Sequence, residues 1–431
     1  RKFQLHLVSA GVNLNNNYVR YAAPFSMLDL IQGKNSRPLD PFDLKEVGGK
    51  GPKNATLAAE LRGPAFAAQL GEKTTLALMS RVRSGFQVTD ASNRLMAIAR
   101  IGLADASNLQ ELGYLALYAG QSENRFNLSS MAYSEWAFSW GQVLSETDYA
   151  RVRAGVTVKR YLGNAAGFMQ NQNLNYRLLP DAENSNTVYM QVDNFEATMG
   201  YTDIGRQDLL SPGLLFGRNR NGQGWGWDAG ISYEILDDTD FARVRLSASL
   251  TDMGQIRFES PVVKSYSIRT ENQQITEEEW RGYSSPREGE NQLSAFGRLM
   301  EEEFGLEEGN NTGYFTMATP TAMNLTADLK LTNAIFLNAT VIQGIKRTGI
   351  PQWRQTPLWA VTPRLEWKGV GIALPIVRQN KSWALGAGLR LGPLRVGSDN
   401  LAGLFSRQGQ LNAQGVDLYA GLSFNLKGKT D

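Results

Sequence analysis

Apolar and polar residues alternate with a period of two along most of the chain, which places successive side chains on opposite faces of a strand. Trp225, Trp227, Ala229, Ile231 and Tyr233 share one face, and Asp228, Ser232 and Glu234 the other. Val244, Leu246, Ala248 and Leu250 then alternate with Arg243, Arg245, Ser247 and Thr251. The same pattern recurs over 150–159, 323–330 and 416–425.

A soluble sandwich also alternates, so other features must decide. The segments run about 10–14 residues, longer than the usual 5–6 of soluble strands and long enough for the ~9–11 a tilted membrane strand needs. Arg243, Arg245, Arg364 and Glu366 fall on the face opposite the apolar one, where a dry sandwich core has no place for charge. Trp136, Trp140, Trp225, Trp227, Trp359, Trp367, Trp383 and Phe424 gather near segment ends, as interfacial girdles do. The pattern predicts an all-β transmembrane antiparallel barrel of about 14 strands, with 12 or 16 as alternatives.

Short turns alternate with long connections, which sets the expected topology. Strands are expected at 2–15, 54–70, 74–88, 125–143, 149–163, 223–236, 240–252, 319–331, 335–346, 357–367, 370–378, 381–391, 394–404 and 415–427. The whole chain, 1–431, reads as a single barrel domain with long outer loops at about 16–53, 89–124, 164–222 and 253–318. The stretch 188–200 is an additional strand or hairpin candidate inside one of them. Gly63-Pro64 breaks the alternation of its strand and marks a bulge.

Composition narrows the chemistry. Among 431 residues there is no Cys and a single His, His6, which excludes thiolate chemistry and His-cluster metal sites. No motif sets a Ser or Asp beside His6, so the chain reads as a non-enzyme without cofactor. A net charge of +2 argues against a nucleic-acid partner.

Two groups of residues stand out. Glu60, Arg62, Arg81, Arg83, Arg151, Arg153, Arg243, Arg245, Arg364 and Glu366 fall on the inner register, joined there by Lys159, Asp228, Glu234, Asp328 and Lys330. They line either a polar conduit or an interior plugged by ion pairs. In the acidic insertion 271–310, Leu293, Phe296, Leu299, Met300 and Phe304 recur at helical spacing, predicting an amphipathic helix that serves as a lid or a partner-docking face. A second helical pattern covers 94–118.

The blocks ASLTDMG (from Ala248), FTMATPTAMNL (from Phe315), TPRLEW (from Thr362), GIALP (from Gly371), LRLGPLRVGSDNLAGLF (from Leu389) and DLYAGLSF (from Asp417) occur together. In combination they resemble a Bacteroidota outer-membrane barrel family known only as a domain of unknown function, distantly similar to PorP/SprF-type and FadL-like barrels. The resemblance implies an outer-membrane protein in contact with membrane lipid and with other envelope or surface proteins, in a type IX secretion, gliding or surface-assembly setting. It also implies a small Asn-Pro-Ala-containing plug segment ahead of strand one. The expected function is a scaffold or adaptor that docks such a partner. The alternative is a FadL-like transporter of a small hydrophobic or polar molecule.

Overall fold

The computed structural model describes residues 3–49, 51–103, 125–180, 188–204, 220–237, 242–282, 286–288, 290–411 and 413–426. A sheet of 19 hydrogen-bonded segments runs through the molecule. Three of its segments rise above the wall and two wall strands are each interrupted once, which leaves a closed barrel of 14 antiparallel strands.

The wall strands are β1 Phe3–Asn16, β2 Lys53–Leu70, β3 Thr74–Ala91, β4 Asn127–Glu146 and β5 Ala150–Pro180. Next come β6 Gly222–Leu236, β7 Ala242–Glu259, β8 Ala322–Lys330, β9 Ile335–Gly344 and β10 Leu358–Trp367. In β11, Val370–Ala373 and Ile376–Gln379 are separated at Pro375. In β12, Ser382–Leu385 and Ala387–Leu391 are separated at Gly386. The last two are β13 Leu394–Ser398 and β14 Gly415–Leu426. The barrel closes because β1 pairs with both β2 and β14: Gly11 lies opposite Glu60 on one side and Tyr419 on the other. Closure removes the two end strands' free edges, the usual template for another chain.

Alternation translates directly into an apolar outside. Leu246 and Leu325 are 48% and 41% exposed, and they belong to a continuous outward band with Leu57, Val156, Ile231, Val361 and Leu418. Trp225, Trp227, Trp359 and Trp383 point outward near the loop end, whereas Trp140, Tyr149, Tyr233 and Trp367 do so toward the turn end. This is the two-girdle surface that a bilayer covers. The bulge at Gly63-Pro64 is present: pairing of β2 with β3 shifts between Arg62 and Ala65, which returns Phe66 and Leu70 to the outward face.

Three expected boundaries change. The segments 164–222 and 253–318 are expected as loops with a strand or hairpin candidate at 188–200 and one helix. Instead β5 runs on to Pro180 and β7 runs on to Glu259; Val188–Thr202 is indeed a strand, paired to β5, and Val263–Ile275 is a further strand paired to Val188–Thr202. These strands satisfy their backbone groups above the barrel and need no lipid-facing side. The expected thirteenth strand, 394–404, stops at Ser398 and gives way to the short helix Leu401–Phe405. Of the helical pattern 94–118, Asn93–Ile101 is a helix capped by Ser92, and residues from 104 on lie outside those described.

Candidate functional site

Two successive layers cross the lumen, and a third lies over its mouth. The first is charged. Thr251 and Asp252 together oppose the single residue Asp228, a β-bulge that leaves Asp252 in the left-handed region at φ 55°. Aspartate tolerates that conformation better than a branched residue. The Asp252 backbone N–H donates to Asp228 Oδ1 at 2.7 Å, and Thr319 and Thr321 hydroxyls donate to the Asp252 carbonyl at 2.7 and 2.9 Å.

Held this way, the Asp252 carboxylate meets three cations from β3 and β5: Arg81 Nη2 at 3.0 Å, Arg83 Nη1 at 2.9 Å and Lys159 Nζ at 2.6 Å. Arg81 also pairs with the fully buried Glu135 at 2.6 Å, and Lys159 with Asp228 at 2.7 Å. Glu60 is shared by Arg62, Arg81 and Arg83. Arg62 is exposed, but Arg81, Arg83, Glu135, Lys159 and Asp252 are out of bulk water, and each of these is tolerable only because its partners are present.

The other inner-register residues form separate groups nearer the turns. Glu234, 1% exposed, takes Arg151 at 3.5 Å, Arg153 at 3.2 Å and Arg245 at 2.8 Å. Arg364 bridges Asp328 at 2.6 Å and Glu366 at 3.4 Å, and Lys330 pairs with Asp237 at 2.9 Å. Arg243 is exposed and has no ion pair among the described residues. So the inner set splits into local clusters, and Arg243 joins none.

The second layer is apolar. Met131, Tyr133, Tyr161, Ile256, Phe258, Phe315, Met317 and Trp353 form one buried cluster at the loop-end side of the charges. Arg83 joins the layers: it donates to the Tyr133 hydroxyl at 3.0 Å, and its guanidinium sits 5.3 Å from the Trp353 ring centroid.

Trp353 comes from the connection 345–357, which leaves the wall between β9 and β10 and crosses the lumen. Gln87 on β3 exchanges two hydrogen bonds with the Arg354 backbone at 2.9 and 3.0 Å, Arg354 pairs with Asp90 at 2.9 Å, and Thr356 meets Thr56 on β2 at 3.3 Å. These anchors lie half a circumference from the β9–β10 pair. Gly85 on β3 makes room: a Cβ there would lie 2.3 Å from the Trp353 ring.

Above the mouth sits the third layer, a core of its own. The upper half of β5 with Val188–Thr202 and Val263–Ile275 supplies Met169, Tyr176, Val192, Phe195, Met199, Tyr201, Tyr266 and Ile268, while Asn93–Ile101 supplies Ala97, Ile98 and Ile101. The helix Gln292–Phe304 is capped by Asn291 and ended by Gly305 at φ 58°. Its Met300 is buried in this core, with Leu293, Phe296 and Phe304 packed on it; Leu299 is half-buried and outside the cluster. Glu301 accepts from the Tyr201 hydroxyl at 2.7 Å and from Lys264 at 3.1 Å. Burial, then the hydrogen bond to Glu301, pushes the Tyr201 hydroxyl far above the usual tyrosine value.

Asp252, Glu135 and Trp353 are the residues that sequence reasoning missed. Asp252 had a signal: in ASLTDMG the alternation slips by one between Leu250 and Met253. Trp353 had none, since nothing local tells an inward loop from an outward one. Among the described residues, no three His, Cys, Asp or Glu side chains are grouped to hold a metal ion.

The profile of a family of unknown function (DUF5723) matches residues 2–399. The chain belongs to that family. No curated protein matches it. Solved structures similar to this DUF5723 member include the translocator domain of the autotransporter NalP from Neisseria meningitidis, at 8% identity and TM-score 0.34, with 99% of this chain and 89% of that one covered. Another is a TodX monoaromatic hydrocarbon channel mutant, at 11% identity and TM-score 0.38, covering 98% and 89%. A Pseudomonas aeruginosa FadL homologue stands at 10% and 0.33, covering 98% and 89%. Likenesses at this level carry no argument about what this DUF5723 barrel transports or binds.

Proposed function

We propose that this DUF5723 protein is a bacterial outer-membrane barrel with a sealed lumen, whose task is to anchor and present its outer cap to a protein partner. The observation that carries this reading is the stack of two layers across the lumen and one over its mouth: the Asp252 charge hub, the apolar cluster closed by Trp353, and the cap core above them. An inward loop pinned to the opposite wall narrows any passage for solutes, and with the buried cluster around Trp353 it stiffens the barrel as a platform. The lipid of the outer membrane is its solvent, and other envelope or surface proteins are its partners. The finer reading, a secretion, gliding-motility or surface assembly of a Bacteroidota envelope, rests on the resemblance of its strand and turn motifs. On this reading the barrel is not an enzyme.

Planar-bilayer recording combined with co-purification under mild detergent tests the proposal. A barrel without steady conductance that brings down a defined protein through the cap supports it. Solute-dependent permeation through the intact chain would sink it.

One observation favours the transporter alternative. In the outer half of the wall, the helix Leu401–Phe405 packs between Ser382–Leu385 and β14 where a longer β13 would lie, so the ladder is interrupted there. If the alternative holds, cross-linking that helix to β14 abolishes permeation.

A further inference from the structure

One side of the lumen, beside the charge hub, is not filled. A cavity of about 520 Å³ lies against the inner faces of β13, β14, β1 and β2, with Trp353 on its loop-end side. Its lower part is a single row across four neighbouring strands: Arg62 opposite Ser9, Ser9 opposite Gly421, and Gly421 opposite Arg395. A Cβ at Gly421 would approach Ser9 Cβ to 2.7 Å, so the wall between the two arginines is kept thin. Strand spacing puts the two arginine backbones ~14 Å apart, and their long side chains reach in from either flank.

The charges at the two ends of this cavity are not balanced locally. Arg395 has no hydrogen bond or ion pair from its side chain among the described residues, and Arg62 has only Glu60, which Arg81 and Arg83 also use. Beside this row, His6 Nε2 is buried and has no hydrogen-bond partner among the described residues. Asn13 lies opposite Asp417 four residues farther toward the loop end, or ~13 Å at the rise of an antiparallel strand. There the Asp417 carboxylate accepts from Asn13 Nδ2 at 3.3 Å and from the Asp399 backbone N–H at 2.9 Å, and no cation faces it among the described residues. Arg62 and Arg395 are exposed although they point into the barrel, so water reaches them.

We propose that this cavity binds a short zwitterionic solute of tripeptide size, its carboxylate between Arg62 and Arg395 and its ammonium on Asp417. An extended tripeptide spans ~10 Å, and one hydrogen bond of ~3 Å at an end completes the distance between the two charged rows. The site is independent of the docking role, since the cavity and the cap lie on opposite sides of the Trp353 layer.

Isothermal titration of the full chain in detergent micelles at low salt, with triglycine, N-acetyl-triglycine and triglycine amide as probes, tests this. Triglycine binds, and blocking either end weakens binding at least tenfold. Arg395→Gln weakens triglycine and erases its advantage over the amide. Asp417→Asn erases its advantage over the acetylated form, and Arg243→Gln, an exposed arginine outside the cavity, changes neither. Retained β circular dichroism and heat-modifiable gel mobility certify each fold; should Arg395→Gln fail there, Arg62→Gln takes its place. Absence of triglycine binding, equal binding of the three probes, or an equal loss in Arg243→Gln overturns the proposal. Loss of the protein partner leaves it standing, so the two readings fail separately.

Discussion

Leu246 and Ser247 are neighbours on one strand and face opposite media. Arginine at Leu246 or Leu325 is therefore expected to cost about 2–4 kcal/mol by reversible unfolding in lipid, and arginine at Ser247 far less. Equal costs would contradict the inside–outside assignment. Asp252 makes a second residue-scale case. Asp252→Asn keeps a side chain that tolerates the left-handed backbone but removes the charge that Arg81, Arg83 and Lys159 share, so a loss of about 3–5 kcal/mol is expected in urea unfolding. At this scale the inner register was legible, because facing is a matter of parity. The hub was not, because Asp252 sits where parity breaks.

The wall strands were legible as elements for the same reason, and the bulge at Gly63-Pro64 with them. The cap was only half legible. Its helix announces itself through Leu293, Phe296, Met300 and Phe304, while Val263–Ile275 has no second medium to sharpen its alternation and reads as loop. The fit of that helix to its sheet depends on Gly297, where a Cβ would come within 2.3 Å of the Tyr201 ring. Gly297→Ala is expected to loosen the cap, although alanine is the better helix former. The propensity gain is at most ~1 kcal/mol, and the overpacking cost is ~1–3 kcal/mol. Limited proteolysis should then cut the 286–311 segment sooner, with the barrel left intact. Unchanged protection would mean that the helix is not seated on Tyr201.

For the whole molecule, closure and sealing are the two decisive properties. Removing the Trp353 ring empties the centre of the apolar layer, so Trp353→Ala is expected to raise liposome-swelling rates for small solutes above those of the parent chain. A parent that already swells liposomes freely would remove the basis for the sealed-platform reading. Fold class follows from local pattern, since a period of two with apolar residues on one side and charges on the other has one stable solution in lipid: a sheet with no free edge. That is why 431 residues without a recognisable catalytic motif still declare a barrel. Which charges meet, where the 345–357 connection goes and whether the lumen is open depend on contacts between strands that are not neighbours in the sheet: Asp252 on β7 meets Arg81 and Arg83 on β3 and Lys159 on β5, and Trp353 reaches Gly85 on β3 from between β9 and β10. Such contacts arise only once the sheet has curled, because curling is what brings side chains of separated strands into one lumen.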